Sequence, residues 1–325
     1  MKILMAGIHV LIKSITVLLA VAVINFMLVR MAPGDPVSVL AGEAGASDQQ
    51  YIEQLRKEFK LDQPLVVQLG NYLGHLATLD MGFSYRQQRP VIDLIAERMP
   101  ATLVLAIPAF ILSLAGGILL GALASKYRQS WKDSVITTAS LAFYATPIFW
   151  TGLMLVLLFS VHLGWLPPFG MQTMGSTETG WSRFKDVALH AILPIATLSA
   201  FNLALYTRMT RASMNEVQTA DFVKTAWAKG LSPSRVVWVH QLRNAVLPVI
   251  TLAGIQAGQL IGGSVLVETV FAWPGIGRLA FDALLQRDYQ VLLGVFFCTS
   301  VVVVVFNLLT DLIYLLIDPR MRKSA

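Results

Sequence analysis

The sequence predicts an all-α polytopic membrane protein with six transmembrane helices. Hydrophobic residues make up 55% of the 325-residue chain and charged residues only 14%, whereas soluble domains carry roughly 25% charged residues. The hydrophobic residues are concentrated in long runs, each long enough for the ~20 residues that a helix needs to cross the hydrocarbon core. Segments of about ten residues with alternating polarity, which are typical of a membrane β-barrel, are absent from the sequence.

The six predicted spans are residues 9–30, 99–125, 134–162, 187–208, 243–268 and 290–317. The apolar core of the first run is too long for a cleaved signal peptide, and no small-x-small cleavage site follows it. We therefore interpret residues 1–30 as a retained N-terminal span. The domain organisation that follows is a helical insertion at 31–98, a transmembrane core at 99–318 that contains a polar loop at 210–242, and a tail at 319–325.

Lysine and arginine predict the orientation of the chain, because short loops that stay in the cytoplasm carry an excess of them. The loops after spans two and four and the C-terminal tail carry such an excess: Lys126, Arg128, Lys132, Arg208, Arg211, Lys224, Lys229, Arg235, Arg243, Arg320, Arg322 and Lys323. In the insertion at 31–98, basic residues are balanced by carboxylates. Both termini and the loop at 210–242 are therefore predicted to be cytoplasmic, with the insertion outside. This bias also accounts for the net charge of +6, so nucleic-acid binding is not needed to explain it.

Two amphipathic helices are predicted in the outer insertion. Ser47 and Gln50 form a capping box before the first, and Asp62 and Pro64 start the second. The apolar residues that share one face of the second helix are Leu65, Leu69, Tyr72, Leu73 and Leu76. Such helices lie on the bilayer surface, or they pack over the bundle or against a soluble partner. Their mixed charge favours packing over a lipid-headgroup anchor.

The fifth span combines small and polar residues. Gly254, Gly258 and Gly262 recur every four residues, a stripe that allows another helix to approach closely. Gln256 and Gln259 lie on a neighbouring face and should point into the bundle, because an amide in lipid needs a partner. They either form hydrogen bonds between helices or line a polar translocation path.

In the sixth span, Asn307, Thr310 and Asp311 raise the same question. Asp311 lies about two helical turns from the cytoplasmic end, or roughly 9 Å at 1.5 Å per residue. A structural anchor near the interface and a substrate contact are therefore equally compatible with its position.

The residues required for several kinds of catalysis are missing from the sequence. No G-x-x-x-x-G-K-[ST] phosphate-binding loop and no G-x-S-x-G nucleophile motif occur. The five histidines are scattered along the chain, so no metal cluster is predicted. Cys298 is the single cysteine and is predicted to be a small packing residue. The sequence therefore predicts a protein that is not an enzyme.

A polar segment after span four, DFVKTAWAKGLSPSRVVWVHQLRNAVLP from Asp221 onward, is the most informative part of the chain. Asp221 at the start of a short helix and two lysines near its end suit the helix dipole, and Gly230 is a natural left-handed stop. Ser232 and Pro233 then restart a helix as its N-cap and first residue. This pattern predicts a helix-turn-helix that docks a soluble protein; the alternative is a solvated loop made basic by topology alone.

Motifs along nearly the whole chain resemble those of ABC importer permeases of the dipeptide, oligopeptide and nickel family. Lys224-Thr225-Ala226, then Gly230, then Leu247-Pro248 resemble the family's EAA…G…LP loop, in a form similar to the RTARAKGLS…ALRNALLPV of this branch. MAPGDP at 31–36 is similar to its PGDP signature. ETVFAWPGIGR at 268–278, followed by RDY at 287–289, resembles its ETVFxWPGxGR…RDY segment, and DLIY…DPR at 311–320 resembles its closing DxxY…[DN]PR.

Within the ETVFAWPGIGR motif at 268–278, the residue types suggest an interfacial anchor followed by turns. Trp273 suits an anchor at the membrane–water interface. Pro274, Gly275 and Gly277 suit the turns of a re-entrant or surface loop. This part of the motif is therefore predicted to be a re-entrant or surface loop.

The resemblance implies the fold of a type I ABC importer permease in the bacterial inner membrane. The chain would form half of the translocation pathway together with a homologous permease, two cytoplasmic ATPase subunits and a periplasmic substrate-binding protein. The coupling helix that sits in a groove of the ATPase would consist of Lys224, Thr225, Ala226, Trp227, Ala228, Lys229 and Gly230. Ala226 and Ala228 are small enough to let this helix seat there. The chain would bind no cofactor, because ATP and Mg²⁺ bind to the ATPase subunits.

Peptides are the commonest cargo that the resemblance implies, with nickel chelates, glutathione and opines as alternatives in the same family. A transporter driven by an ion gradient is the alternative from another class. It predicts acidic residues at the bilayer centre and inverted repeats, and Asp311 alone near one end does not match that pattern. A membrane scaffold, the third hypothesis, predicts neither glutamines on an inner face nor a coupling motif.

Overall fold

The computed structural model describes residues 2–31 and 62–317. In these ranges the helices are α1 (Lys2–Met31), α2 (Leu65–Ala77), α3 (Val91–Lys126), α4 (Trp131–Ala145), α5 (Ile148–Leu155), α6 (Gly180–Val217), α7 (Asp221–Ala228), α8 (Pro233–Arg235), α9 (Leu242–Val270), α10 (Ile276–Leu285) and α11 (Tyr289–Ile317). Two π-helical segments, Val156–His162 and Val236–Gln241, continue α5 and join α8 to α9. Strands β1 (Phe83–Ser84) and β2 (Arg89–Pro90) pair antiparallel.

Five of the described helices are long and apolar enough to cross a membrane, at Ile12–Met31, Val91–Lys126, Gly180–Val217, Pro233–Gly258 and Tyr289–Thr310. They correspond to predicted spans one, two, four, five and six. The helix of span two, α3, begins at Val91, eight residues before the predicted start at 99. The helix of span four, α6, extends beyond its predicted limits of 187–208 at both ends. The predicted membrane-spanning architecture is thus confirmed for five spans.

The third predicted span, 134–162, is not one continuous helix. It consists of α4 and α5 with its π-helical extension, which meet at an angle of 108°. The break lies at Pro147: a proline lacks the N–H for the helical ladder and forces the preceding residue out of the helical region. Thr146 accordingly adopts an extended conformation, with φ −87° and ψ 133°. The predicted third span is therefore a bent pair of helices, and the number of spans reaches six if this pair crosses as a unit.

The predicted outer insertion is described in part. Helix α2 starts after Pro64, as predicted from Asp62 and Pro64, whereas the capping box at Ser47 and Gln50 lies outside the described residues. The short β1–β2 ladder was not predicted by an all-α reading of the sequence.

Within the described ranges, residues up to 100 together with 278–304 form one compact unit. The ring of Phe26 on α1 stacks on that of Tyr72 on α2, with centroids 5.6 Å apart. The buried Ser84 hydroxyl donates to Asp288 Oδ2 (2.5 Å) and so ties the ladder to the turn before α11.

Of the described residues, 101–277 together with 305–317 form the second unit. Its main core contains Leu105 of α3, Leu198 of α6, and Val267, Phe271 and Trp273 at and after the end of α9. A further core around the fully buried Tyr206 joins α6 to Val249 and Ala253 of α9.

Two glycines of α3 that the sequence analysis did not single out bring α3 and α6 together. A Cβ atom on Gly117 would lie 2.4 Å from Tyr206 Cβ, and one on Gly121 would lie 2.5 Å from Thr210 Cβ and 2.6 Å from the Thr207 carbonyl oxygen. Only glycine fits at these crossings. The four-residue spacing of Gly117 and Gly121 is the signal that could have identified them.

Candidate functional site

The polar segment after α6 forms the predicted helix and stop. Helix α7 begins at Asp221 and ends at Ala228, and Gly230 follows with φ +73°. The Gly230 N–H donates to the Trp227 carbonyl (2.9 Å) and the Leu231 N–H to the Ala226 carbonyl (3.4 Å). These bonds satisfy carbonyls at the end of the helix, as a left-handed glycine allows. Pro233 is the first residue of the next helix.

The inner face of α7 packs on its own chain. Val223, Ala226 and Val236 are buried together, with Val217 and Leu231 against them. Ala226 is only 4% exposed, so its small size serves this internal contact. The expectation that both alanines face a partner is therefore corrected: Ala226 faces inward, and Ala228 remains exposed.

The outer side of α7 carries both charge and aromatic surface. Asp221, Lys224, Thr225 and Ala228 are all exposed, and the Lys224 ammonium lies 2.8 Å from the Asp221 carboxylate. Two aromatic residues, Phe222 and Trp227, flank the buried face. At about 100° per residue, each lies about 70° from the centre of that face, on opposite sides. They are 42% and 46% exposed.

The ends of three long helices converge beside α7. Ala122 near the end of α3, Met214 near the end of α6 and Ala245 at the start of α9 form one buried cluster. Trp238, in the π-helical segment after α8, packs against it. In addition, the Ser125 hydroxyl donates to Asn215 Oδ1 (2.9 Å). Val217 packs against this cluster and also against the buried residues of α7, so packed side chains connect α7 with α3, α6 and α9.

Helix α4 is attached to the same region by an ion pair. Arg211 donates from Nε to Asp133 Oδ1 (2.7 Å) and from Nη2 to Oδ2 (2.9 Å). The Asp133 side chain is 7% exposed, and Thr137 and the Gln129 N–H also donate to it. A bidentate arginine–carboxylate pair fixes geometry as well as charge. The sequence analysis counted Arg211 only as a loop charge and did not single out Asp133, because nothing local links positions 78 residues apart.

The segment between α9 and α10, residues 271–275, packs inside the protein and is termed the buried joint. Glu268 is fully buried and accepts a hydrogen bond from Thr102 Oγ1 (2.8 Å), which in turn accepts one from the Ile276 N–H (2.8 Å). A Cβ on Gly275 would lie 2.3 Å from Glu268 Cδ, and one on Gly277 would lie 2.6 Å from Val265 Cα. These glycines are therefore needed for close approach.

Trp273 is fully buried in this joint, and its Nε1–H donates to the Ala101 carbonyl (2.8 Å). The prediction of an interfacial anchor at Trp273 was wrong. Of the two predicted kinds of loop, a surface loop is contradicted because Gly275 and Gly277 are also buried, and a re-entrant loop stays a prediction. The residue with positive φ is Ala272 (φ 51°), not a glycine. An amphipathic aromatic suits an interface and a core with a carbonyl partner equally well, so residue type alone does not decide between them.

The predicted packing stripe is close-packed where it is described. A Cβ on Gly254 would lie 1.9 Å from Thr310 Cγ2, and Gly258 is buried. The surroundings of Gln259 and Gly262 lie outside the part of α9 that the structure describes in atomic detail.

Two path candidates remain among the side chains that the structure describes. Gln256 is half-buried and Asn307 is exposed. No hydrogen bond joins these two side chains in the described part of the molecule. Their role in a translocation path stays a prediction.

Comparison with known proteins identifies two family models along the chain. Residues 117–323 match the model described as binding-protein-dependent transport system inner membrane component, and residues 4–106 match the corresponding N-terminal model. The di/tripeptide transport system permease protein DppB of Pseudomonas aeruginosa is 41% identical over 320 residues, covering 94% of each chain. The dipeptide transport system permease protein DppB of Escherichia coli is 39% identical over 323 residues, covering 94% of this chain and 95% of that one.

Solved structures share the fold at low sequence identity. A structure of the MetNI methionine ABC transporter in an inward-facing conformation has a TM-score of 0.57 and 17% identity, over 69% of this chain and 96% of that chain. An amino acid ABC transporter has a TM-score of 0.51 and 15% identity, over 69% and 94%.

Proposed function

The chain belongs to the family of binding-protein-dependent transport system inner membrane components, and from this membership we propose that it forms half of the translocation pathway of an ATP-driven peptide importer. Subunits of this family are permeases and not enzymes. The chain is an inner-membrane component with several membrane-spanning helices. Importers of this family work with ATPase and substrate-binding partners, and the energy for transport is supplied by the ATPases.

The observation that carries the proposal is the position of α7. It is a short helix ended by a left-handed glycine, it is packed by Val223 and Ala226 on its own chain, and its opposite side is exposed. Phe222 and Trp227 present aromatic surface on the flanks, a composition that is enriched at protein interfaces. The ATPase would receive the outer side of α7 in a groove and contact these flanking rings.

The energy of ATP hydrolysis would pass through this helix to the membrane. The Ala122–Met214–Ala245 cluster joins the region of α7 to three long helices, and the Asp133–Arg211 pair joins α6 to α4. Packed interfaces shift between discrete arrangements rather than deform continuously. Closure of the ATPases would therefore rock α3, α4, α6 and α9 together between inward- and outward-facing states.

The stoichiometry and orientation of the complex are part of the proposal. One copy of this chain would pair with a homologous permease above two ATPase subunits, with a periplasmic substrate-binding protein on the other face. The basic loops support a cytoplasmic position for both termini and for α7. ATP and Mg²⁺ would bind to the ATPases and not to this chain.

Peptides are the proposed cargo because relatives at about 40% identity over nearly the whole chain are named as peptide and dipeptide permeases. Gln256, Gln259 and Asn307 are the proposed polar residues along the path. Their amides would offer hydrogen bonds to the peptide backbone without a fixed charge, which suits cargo of varied side chains.

Reconstitution in proteoliposomes tests this function. The vesicles contain this permease, its homologous partner and the ATPases, with the binding protein and a labelled dipeptide outside. We expect uptake that requires ATP inside and persists when ionophores abolish all ion gradients. Uptake that is independent of ATP and abolished by an ionophore would instead favour an ion-driven transporter. Competition by unlabelled dipeptide, a nickel chelate and glutathione distinguishes peptide transport from the alternatives of the same family.

A further inference from the structure

A cavity of about 160 Å³ lies between α4 and α6 in the second unit. Ser140, Leu141 and Tyr144 line it from α4, and Leu205, Arg208 and Arg211 line it from α6. A single buried water needs a cavity volume of roughly 10–15 Å³. The cavity is therefore large enough for a polar group of several atoms.

Two polar groups of this cavity have no protein partner to neutralise or satisfy them. Ser140 is 8% exposed, and its hydroxyl forms no hydrogen bond with any other described residue. The Arg208 guanidinium lies 5.8 Å from the centre of the Tyr144 ring, and no carboxylate of the described residues pairs with it. By contrast, Arg211 is held by both oxygens of Asp133, and the Thr207 hydroxyl donates to the Leu203 carbonyl. The cavity therefore presents the positive charge of the exposed Arg208 and a serine hydroxyl that forms no hydrogen bond within the described protein.

We propose that this cavity binds the phosphate of an anionic phospholipid, with Arg208 and Ser140 donating to its oxygens. A phosphate offers several acceptor oxygens and a negative charge, which match these two donors. Leu141, Leu205 and the ring of Tyr144 form apolar walls, and the Tyr144 ring is stacked on that of Phe201. These walls favour a lipid over a free inorganic phosphate, which would lose water to apolar carbon without compensation.

The surroundings of the cavity are those of a membrane interface. Val135, Leu141 and Phe143 on α4 are 56%, 57% and 48% exposed, so apolar surface for acyl chains continues outward from the cavity. The Asp133–Arg211 pair marks the polar end of the same two helices. Basic pockets between transmembrane helices on the cytoplasmic side are typical sites for anionic headgroups.

A bound lipid would bridge α4 and α6 below the bend at Pro147. Since α4 otherwise depends on the Asp133–Arg211 pair for a charged link to α6, the lipid would stabilise the same contact from the other side of Arg211. This inference does not depend on the transported substrate, so it can fail or hold independently of the proposed function.

The test uses the assembled transporter in detergent, exchanged with vesicles of phosphatidylglycerol or of phosphatidylcholine. Retained lipid is measured by native mass spectrometry. We expect preferential retention of phosphatidylglycerol, reduced about fivefold in Arg208→Gln and roughly twofold to tenfold in Ser140→Ala. The matched control is Arg128→Gln, which removes an exposed arginine outside the cavity and should leave retention unchanged.

Three outcomes would overturn the proposal. The first is equal retention of the two lipids, or retention that is unaffected by both cavity variants. The second is displacement of phosphatidylglycerol by excess inorganic phosphate, which would assign the site to a free anion. The third is a raised KM for peptide uptake in Arg208→Gln with unchanged lipid retention, which would place Arg208 on the translocation path. If Arg208→Gln fails to assemble, the retention of phosphatidylglycerol in Arg208→Lys and in Ser140→Ala tests the proposal in its place.

Discussion

Replacing Gly230 should uncouple ATP hydrolysis from transport while the chain still inserts into the membrane. Gly230 adopts φ +73°, and a Cβ atom at this position would meet no atom within 4 Å. A side chain here therefore causes no clash, and the penalty comes from the left-handed backbone alone. For an L-residue that penalty is about 1–2 kcal/mol, which corresponds to a factor of about 5 to 30 in the population of the correctly ended helix.

This cost predicts an order among three variants. Gly230→Asn should transport within about twofold of the parent, because asparagine tolerates the left-handed region. Gly230→Ala should lose up to the full factor of about 5 to 30. Gly230→Val should lose more, since a β-branched residue fits that region least well. The assay is ATP-dependent dipeptide uptake in proteoliposomes, together with the ATPase activity that the binding protein stimulates.

Gly175 supplies the matched control for these variants. It also has a positive φ (+77°) and open space around its Cβ position, but it lies in the loop before α6. Gly175→Val carries the same backbone penalty without touching α7. Equal losses in Gly175→Val and Gly230→Val, or parental transport by Gly230→Val, would refute the reasoning.

Three further predictions address topology and packing. Reporter fusions at Lys132 and Gly230 should report the cytoplasm, and one near Asp62 should report the outside, because the basic loops are retained inside. Gly121→Leu should destabilise the assembled protein by about 1–3 kcal/mol or more, since its Cβ would lie 2.5 Å from a threonine of α6; thermal unfolding measures the loss. Thr102→Val should cost about 1–3 kcal/mol, because the buried Ile276 N–H loses its acceptor and Glu268 loses one hydrogen bond.

Controls for these predictions come from the same chain. Gly74→Leu places the same side chain on a helix where a Cβ meets nothing within 4 Å, so it should leave the melting temperature nearly unchanged. Thr102→Ser keeps the hydroxyl and should recover most of the stability lost in Thr102→Val. A cytoplasmic signal from the Asp62 fusion would contradict the predicted orientation, and a parental melting temperature for Gly121→Leu would contradict the close crossing.

The sequence by itself determined the features that depend on neighbouring residues. Long apolar runs predict spans because every backbone polar group in lipid must be satisfied within its own helix. The stop at Gly230 follows from one residue that tolerates positive φ, and the start at Pro233 from one that lacks an N–H. Helix α7 and five of the long helices were predictable for this reason.

Tertiary structure alone decided which of several equally suitable environments a residue occupies. Trp273 suits an interface or a core, and only the Ala101 carbonyl, 172 positions away, makes it a core residue. Ala226 suits an interface groove or an internal contact, and Val236 makes it internal. The Asp133–Arg211 pair and the cavity beside it likewise depend on helices that meet far apart in sequence. Composition and periodicity report on positions a few residues apart, whereas these contacts are selected by the packing of whole helices.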